Sequence, residues 1–266
     1  MSKLRSLVLA LLLCGAFLPD ATQPAQAEAT LSECQCLDCL KLWRLAARAE
    51  LQAHNDRWQK ARKSLQSSID YYDSHPDHRQ RMAEQGRSLF CELWGTFEDE
   101  MGVLREIELP KLQRQIFANA KHCLGPPSGA TDPVTCEIDN LAMMVGEMQA
   151  PCPQIHLAIL SHELVHQRDC QAQQAPPRWT EAKGASCDEA FKGKTPPAAA
   201  EMLRYAEAFF LSEVNAYDIE SRVEGLMEQE LTLLCKPDDY SSRVTRDDKD
   251  AVEFLERARN YTYGGS

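Results

Sequence analysis

Ten of the eleven cysteines in this 266-residue chain lie after residue 27 and are spread over most of the remaining length. An even number of widely spaced cysteines is typical of exported proteins, whose thiols pair in an oxidising compartment. The sequence therefore predicts up to five disulfides that tie helices and long loops together, and it leaves their connectivity open. The ten residues are Cys34, Cys36, Cys39, Cys91, Cys123, Cys136, Cys152, Cys170, Cys187 and Cys235.

Three of these cysteines, Cys34, Cys36 and Cys39, are close enough in sequence to form a thiolate metal knuckle. Such a site would need a fourth ligand from a distant part of the chain, and exported thiols oxidise readily. We therefore favour disulfides over a metal site at this cluster.

The N-terminus has the order of a secretory signal peptide. Lys3 and Arg5 precede an apolar run over residues 7–18, and a small-residue Ala-Gln-Ala sequence follows. We predict a signal peptide over residues 1–27, cleaved before Glu28, and a secreted or periplasmic mature protein.

The apolar run of the signal is shorter than the roughly 20 residues that a membrane-spanning helix needs. No stable membrane insertion is therefore expected after cleavage. A lipoprotein site at Cys14 is the alternative, and Leu13 disfavours it because such sites usually have a small residue at that position.

Composition places the chain among ordinary globular proteins. A hydrophobic content of 44% with 26% charged residues allows a sizeable core and excludes collagen, low-complexity disorder and a multi-span membrane protein. The 40 acidic and 29 basic residues give a formal net charge of −11. This charge disfavours nucleic acid or anionic lipid as the main partner, because phosphate binding needs clustered lysine and arginine.

The first part of the mature chain is predicted to form a helical scaffold. Apolar residues recur at helical spacing over residues 40–72 and again over residues 80–121, where Pro110 is expected to kink or split the helix. We predict that these stretches form an antiparallel hairpin, and we assign residues 28–125 to an N-terminal helical region.

The second part, residues 126–266, is expected to carry the chemistry. It contains a loop over residues 125–129, a segment at 134–145 that allows one or two short strands, and a helix over 154–169. A long connection follows, and then helices over residues 199–234 and 250–261. The predicted fold is mainly α and disulfide-stapled, with room for one small β element.

The helix over residues 154–169 contains His162, Glu163 and His166 in the HExxH pattern. Histidines at i and i+4 lie one turn apart on one helix face, so both imidazoles can bind one Zn²⁺, and Glu163 can reach a water at the metal. The alternative is a pair of core histidines hydrogen-bonded to neighbouring carboxylates. That alternative accounts for either histidine alone but not for the pair with Glu163 between them.

A catalytic zinc site of this kind needs a third protein ligand, and Glu213 is the candidate. It sits on an apolar stripe of the helix over residues 199–234, where an unpaired carboxylate would be costly. Glu220, two turns further along the same face, is the alternative ligand or a group that supports a ligand. Glu207 ranks third because Arg204, one turn away, could pair with it.

These motifs resemble the zincin metallopeptidases, and among them the gluzincins, in which a glutamate on a later helix completes the HExxH site. The resemblance is carried by residues 162–166 and by residues 212–217, which contain a Glu-x-x-Ala sequence. Residues 162–169 are also similar to the HELVHxxD string of mitochondrial ATP-synthase assembly peptidases. No metzincin Gly-x-x-His follows His166, and Ser212 stands where thermolysin-type enzymes have asparagine.

The resemblance implies an exported zinc metallopeptidase with a zincin-like helical domain and a protein or peptide substrate. Glu163 would be the general base, and Tyr217 is the candidate oxyanion donor, with Tyr205 and His156 as alternatives. Asp169 could accept the free ring N–H of His166.

Two other functions stay open from the sequence. One is a non-catalytic, disulfide-rich helical protein with a binding or structural role. The other is a secreted metalloprotease effector or toxin. The sequence does not specify the substrate or the oligomeric state.

Overall fold

The computed structural model describes residues 33–123, 130–131, 135–139, 152–172, 187–192, 195–235 and 247–263. The predicted signal peptide, the predicted loop over residues 125–129 and most of the connection between residues 172 and 198 lie outside the described residues.

The described chain is mainly helical, as the sequence predicts. The elements in order are α1 (Glu33–Ser74), α2 (Pro76–Glu84), α3 (Leu89–Gly102), a π-helical segment (Val103–Glu108), α4 (Leu109–Ile116), a 3₁₀ turn (Lys121–Cys123), β1 (Ala130–Thr131), β2 (Ile138–Asp139), α5 (Pro153–Gln171), α6 (Cys187–Ala190), α7 (Ala199–Cys235) and α8 (Lys249–Tyr263).

The stretch predicted as one helix over residues 80–121 is divided into several pieces. Gly86 has a left-handed φ of 73°, which cannot continue a right-handed helix, so α2 ends before it. Glycine suits this position because residues with a side chain rarely adopt that conformation. Ser88 then starts α3, since its hydroxyl accepts a hydrogen bond from the backbone N–H of Cys91 at 3.1 Å. Pro110 lies at the start of α4, directly after the π-helical segment, and the backbone at Glu108 and Leu109 is right-handed helical there.

The β element is a two-residue antiparallel ladder. Ala130 pairs with Asp139, and Thr131 pairs with Ile138. One strand therefore falls inside the segment predicted to allow short strands and its partner precedes that segment. Residues opposite one another in such a ladder present their side chains to the same face. The side chains of Thr131 and the buried Ile138 therefore lie on the same face of the ladder.

The two longest described helices, α1 and α7, run antiparallel and pack against each other more extensively than any other pair of elements. A disulfide joins Cys34 to Cys235 at one end, and the rings of Trp58 and Phe210 stack with centroids 5.7 Å apart further along. Helix α5 packs against α7 and α8, and their apolar faces form one core with the start of α1. A second core lies between α1, α3 and the first half of α7.

Five disulfides link all ten cysteines that follow residue 27. The pairs are Cys34–Cys235, Cys36–Cys152, Cys39–Cys123, Cys91–Cys187 and Cys136–Cys170. The three clustered cysteines of α1 thus enter three different disulfides, which excludes the thiolate knuckle in the oxidised protein. Such a density of disulfides fits an exported or extracellular protein.

Three of the five disulfides connect the predicted N-terminal region to the predicted HExxH region. The division of the chain near residue 125 stays a prediction, because that position lies outside the described residues. Among the helices that the structure describes, none has the length and apolar character needed to cross a bilayer.

Candidate metal centre

Helices α5 and α7 bring His162, His166 and Glu213 together into one group of potential metal ligands. The Nε2 atoms of the two histidines are 3.0 Å apart. Oε2 of Glu213 lies 3.8 Å from Nε2 of His162 and 3.7 Å from Nε2 of His166. A point equidistant from three atoms with these separations lies about 2 Å from each, which is the usual distance from zinc to nitrogen and oxygen ligands.

The two imidazoles reach this geometry because α5 begins well before His162 and is α-helical throughout both histidine positions. Pro153 occupies the first turn, which suits its fixed φ. Positions 162, 166 and 169 then form one stripe of the helix, and this stripe faces α7.

The hydrogen bonds of the two Nδ1 atoms leave both Nε2 atoms available. Nδ1 of His162 donates to Oε2 of Glu220 at 2.9 Å, since a carboxylate oxygen can only accept from it. Nδ1 of His166 lies 2.9 Å from the hydroxyl of Ser212, which in turn donates to Asp169 at 3.3 Å. In this arrangement both Nε2 atoms carry lone pairs.

Two nitrogen lone pairs at 3.0 Å repel one another unless a proton or a metal ion lies between them. Glu213 directs a carboxylate oxygen at the same point, which adds negative charge rather than relieving the repulsion. The donor set of two imidazoles and one carboxylate therefore fits a divalent cation of borderline softness, such as zinc.

The pKa shifts of His162 and Glu213 agree with an excess of negative charge at the site. Burial by itself lowers the pKa of His162, but the hydrogen bond to Glu220 and the charges of Glu220, Glu163 and Glu213 outweigh burial and raise it to about 9. Burial raises the pKa of Glu213, but the close approach of His166 and the charges of the nearby histidines lower it well below its usual range. The site thus favours bound positive charge.

Glu163 lies beside the ligand group without joining it. Its side chain projects from the neighbouring stripe of α5, about 100° around the helix from His162, and it is buried. The hydroxyl of Thr131 lies 2.8 Å from its Oε2 and 3.1 Å from its backbone oxygen. The structure therefore separates the candidate base from the candidate ligands.

The two other acids weighed as ligands take different positions. Glu220 contacts His162 on the Nδ1 side of the ring, away from the point where the Nε2 atoms converge. Glu207 is exposed, and the nearby Arg204 pairs with Glu201 instead. Of the three, only Glu213 joins the group that could bind a metal.

Tyr217, the candidate oxyanion donor, packs its ring edge-on against His162 with centroids 4.5 Å apart. Its hydroxyl is hydrogen-bonded to the carboxyl group of Glu50. Burial, together with the charges of Glu50 and Glu213, raises the pKa of the Tyr217 phenol well above its ordinary value. The phenol is therefore neutral at physiological pH and can donate a hydrogen bond, and in this structure Glu50 receives it.

The alternative donors lie elsewhere. Tyr205 belongs to an aromatic cluster with Trp94 and Phe97 in the second core. His156 lies six residues before His162 on α5 and is outside the ligand group.

Sequence reasoning missed the contribution of α1 to this site. Glu50 and His54 are buried on α1, and Nδ1 of His54 donates to the backbone oxygen of Glu50 at 2.8 Å. The His54 ring lies 5.1 Å from the ring of Tyr217. Burial lowers the pKa of His54 and raises the pKa of Glu50, so both groups shift towards their neutral forms. The available signal was a polar pair at i and i+4 within the apolar positions of α1.

A second group, Cys39, His122 and Cys123, also places potential ligand atoms close together. Cys39 and Cys123 are joined by a disulfide, and a disulfide sulfur is not a thiolate ligand. Among the residues that the structure describes, the oxidised protein therefore offers a metal only the histidine group.

Comparisons with protein-family models, with curated proteins and with solved structures found no match to this chain.

Proposed function

We propose that this protein is an exported zinc-dependent metallopeptidase. The observation that carries the proposal is the convergence of His162 Nε2, His166 Nε2 and Glu213 Oε2 on one point about 2 Å from each atom. Three nitrogen and oxygen ligands with a fourth position left for water or substrate are the pattern of catalytic rather than structural zinc.

When bound there, zinc would supply a Lewis acid that polarises a carbonyl group and acidifies a water molecule. The chain's own residues would supply the proton transfers. Glu163, adjacent to the ligands but not one of them, would accept the proton of the attacking water and return it to the leaving amine. Its burial beside Thr131 keeps the carboxylate in a defined position.

Four other residues would hold the ligands and the substrate. Glu220 orients His162, and Ser212 with Asp169 orients His166, through hydrogen bonds to the two Nδ1 atoms. Tyr217 is proposed as the oxyanion donor, which requires its hydroxyl to exchange Glu50 for the substrate oxygen.

The resemblance to gluzincins supports a peptide bond as the target, and it agrees with a carboxylate placed to protonate a leaving amine. The five disulfides support a secreted or periplasmic setting. The net charge of −11 makes nucleic acid an unsuitable substrate. A role as effector or toxin would use the same chemistry on a narrower set of proteins.

A structural metal site is the second candidate function. One observation favours it: the three ligands come from α5 and α7, so a bound ion would cross-link two helices of the core. Under this alternative the metal would stabilise the fold and the protein would hydrolyse nothing.

One experiment separates the two. The mature oxidised protein is analysed for bound metal and incubated with a mixed peptide library, beside His162→Ala and Glu163→Gln. The peptidase proposal expects one zinc per chain, cleavage by the wild type, loss of both zinc and cleavage in His162→Ala, and loss of cleavage alone in Glu163→Gln. The activity lost in Glu163→Gln should be of the order of a thousandfold.

Two results would count against the peptidase. Bound zinc with no cleavage of any peptide would favour the structural role. Full cleavage by Glu163→Gln would show that another group acts as the base.

A further inference from the structure

The short β1–β2 hairpin lies across α5, and the contacts between them follow one stripe of the helix. Glu163, Gln167 and Cys170 are spaced at i, i+4 and i+7, so they share a face of α5. This stripe is next to the one that carries the two histidines. Each of the three residues is bonded to the hairpin segment.

The first bond joins the hairpin to the candidate base. The hydroxyl of Thr131 has one hydrogen, and its nearest acceptor is Oε2 of Glu163 at 2.8 Å. Thr131 is half-buried and Glu163 is buried, so this hydrogen bond is little weakened by water.

The other two bonds anchor the hairpin to α5. Nε2 of Gln167 donates to the backbone oxygen of Cys136 at 3.1 Å, and a disulfide joins Cys136 to Cys170. Cys136 has a φ of 56°, an uncommon backbone conformation for a residue other than glycine. Ile138, which pairs with Thr131 across the ladder, is buried in the core formed by α5, α7 and α8.

We propose that the β1–β2 hairpin positions the catalytic base, with Thr131 as the positioning residue and the Cys136–Cys170 disulfide as its anchor. This inference rests on the proposed function of Glu163. Because Oε2 already accepts the Thr131 hydrogen, proton transfer would use Oε1. Glu163 and Cys170 lie on the same face of α5, so the hairpin is attached to the helix that carries the side chain it orients.

The kinetic test compares two substitutions at one position. Thr131→Val keeps the shape of the side chain and removes the hydroxyl, whereas Thr131→Ser keeps the hydroxyl. We expect Thr131→Val to lower kcat about tenfold with KM nearly unchanged, and Thr131→Ser to retain most of the wild-type kcat. Zinc content should be equal in all three proteins, because none of the metal ligands is altered.

The anchor is tested by removing its disulfide with the double substitution Cys136→Ala and Cys170→Ala. We expect kcat to fall as in Thr131→Val, and adding Thr131→Val should cause no further loss, since both changes break the same contact. The matched control removes the Cys91–Cys187 disulfide between α3 and α6, which should leave kcat unchanged in the folded fraction. If the Cys136/Cys170 variant does not fold, the comparison at Thr131 decides alone.

A second readout does not depend on activity. The side-chain carboxyl carbon of Glu163 can be followed by ¹³C NMR and identified by its absence in Glu163→Gln. Its chemical shift should change in Thr131→Val and in the Cys136/Cys170 variant but stay as in the wild type in Thr131→Ser.

The two readouts keep the two proposals apart. A chemical shift that changes in Thr131→Val, together with a wild type that hydrolyses no peptide, would leave the positioning contact standing and reject the peptidase. Active protein in which Thr131→Val matches the wild type in both kcat and chemical shift would overturn the positioning role and leave the peptidase standing.

Discussion

Nδ1 of His162 donates a hydrogen bond of 2.9 Å to Oε2 of Glu220, and both residues are buried. This contact decides which end of the imidazole faces the candidate metal position. With Nδ1 engaged, Nε2 is left to meet Nε2 of His166 and the carboxylate of Glu213. A carboxylate behind a ligand histidine also increases the basicity of the ligating nitrogen.

Glu220→Ala should therefore weaken zinc binding by about 10- to 100-fold, because the ring of His162 loses the partner that fixes its orientation. Glu220→Gln should lose less, since an amide oxygen can still accept from Nδ1. Competition with a chelator of known affinity measures both. Glu213→Ala, which removes a ligand, should be the weakest binder. Retention of zinc by Glu213→Ala with loss of zinc from Glu220→Ala would reverse the two assignments.

The pKa of His162 predicts how the stability of the metal-free protein varies with pH. Its pKa is raised from 6.5 to about 9 in the folded state. The stabilisation from the protonated ring is therefore complete below pH 6.5 and is lost as the pH rises to about 9. In chelator, the free energy of unfolding should fall over this interval by up to about 1.4 kcal/mol per pH unit.

The stabilisation that bound zinc adds should instead increase with pH over the same interval. Zinc binds the unprotonated ring of His162, so its affinity rises as the ring loses its proton. Urea unfolding with and without zinc measures both trends. His162→Gln, which lacks the titrating group, is the control and should show a flatter profile in chelator. A metal-free wild type whose stability rises between pH 6.5 and 9 would contradict the assignment.

Glu224 on α7 is fully buried, and neither of its carboxyl oxygens has a hydrogen-bond partner in the described structure. Burial and the charge of Glu220 raise the pKa of Glu224 well above its ordinary value of 4.5. Because the unfolded chain ionises this carboxyl near pH 4.5 and the folded protein only at a higher pH, the carboxyl costs no stability below pH 4.5 and lowers stability increasingly as the pH rises. Glu224→Gln cannot ionise, so it should be more stable than the wild type at pH 8 by about 1 kcal/mol or more.

Urea unfolding at pH 5 and pH 8 measures this difference, which should shrink at the lower pH. The control is Glu228→Gln, since Glu228 pairs with Arg44 at 2.8 Å and its neutralisation should leave stability equal or lower. A Glu224→Gln variant that loses stability relative to the wild type between pH 5 and pH 8 would show that the carboxylate is ionised and paired.

Tyr217→Phe tests two roles of one hydroxyl. Because the hydroxyl is bonded to the buried Glu50, its removal should destabilise the protein by about 1–3 kcal/mol. If the hydroxyl also serves as oxyanion donor, kcat per zinc-loaded molecule should fall about 100-fold or more with little change in KM. Thermal unfolding and steady-state kinetics separate the two effects. Unchanged kcat in the folded fraction would limit Tyr217 to its contact with Glu50.

Local sequence patterns predicted most of the helices. Helices α1, α5, α7 and α8 lie where the sequence predicted helices: apolar periodicity indicated α1, and proline marked the start of α5. The division of the stretch over residues 80–121 was predicted only at Pro110. The break at Gly86 was not predicted, because a single glycine is tolerated within helical patterns and the sequence does not show whether it adopts a left-handed φ.

Local helix geometry predicted the part of the site that lies within α5. His162, Glu163 and His166 have fixed relative directions because helix geometry places residues four apart on one face and the next residue about 100° away. The number and spread of the cysteines likewise predicted a disulfide-stapled protein before any pairing was known.

The residues that contact α5 from other elements could not be predicted from local patterns. Glu213 and Glu220 lie seven residues apart on the same face of α7, so periodicity cannot distinguish them. The choice depends on how far α7 is shifted along α5, which is a matter of side-chain packing and long-range disulfides rather than of local spacing. The same long-range packing brings Glu50 from α1 to Tyr217 and Thr131 from the hairpin to Glu163. Contacts between residues far apart in sequence carry no periodic signal, because their geometry exists only once the helices have packed together.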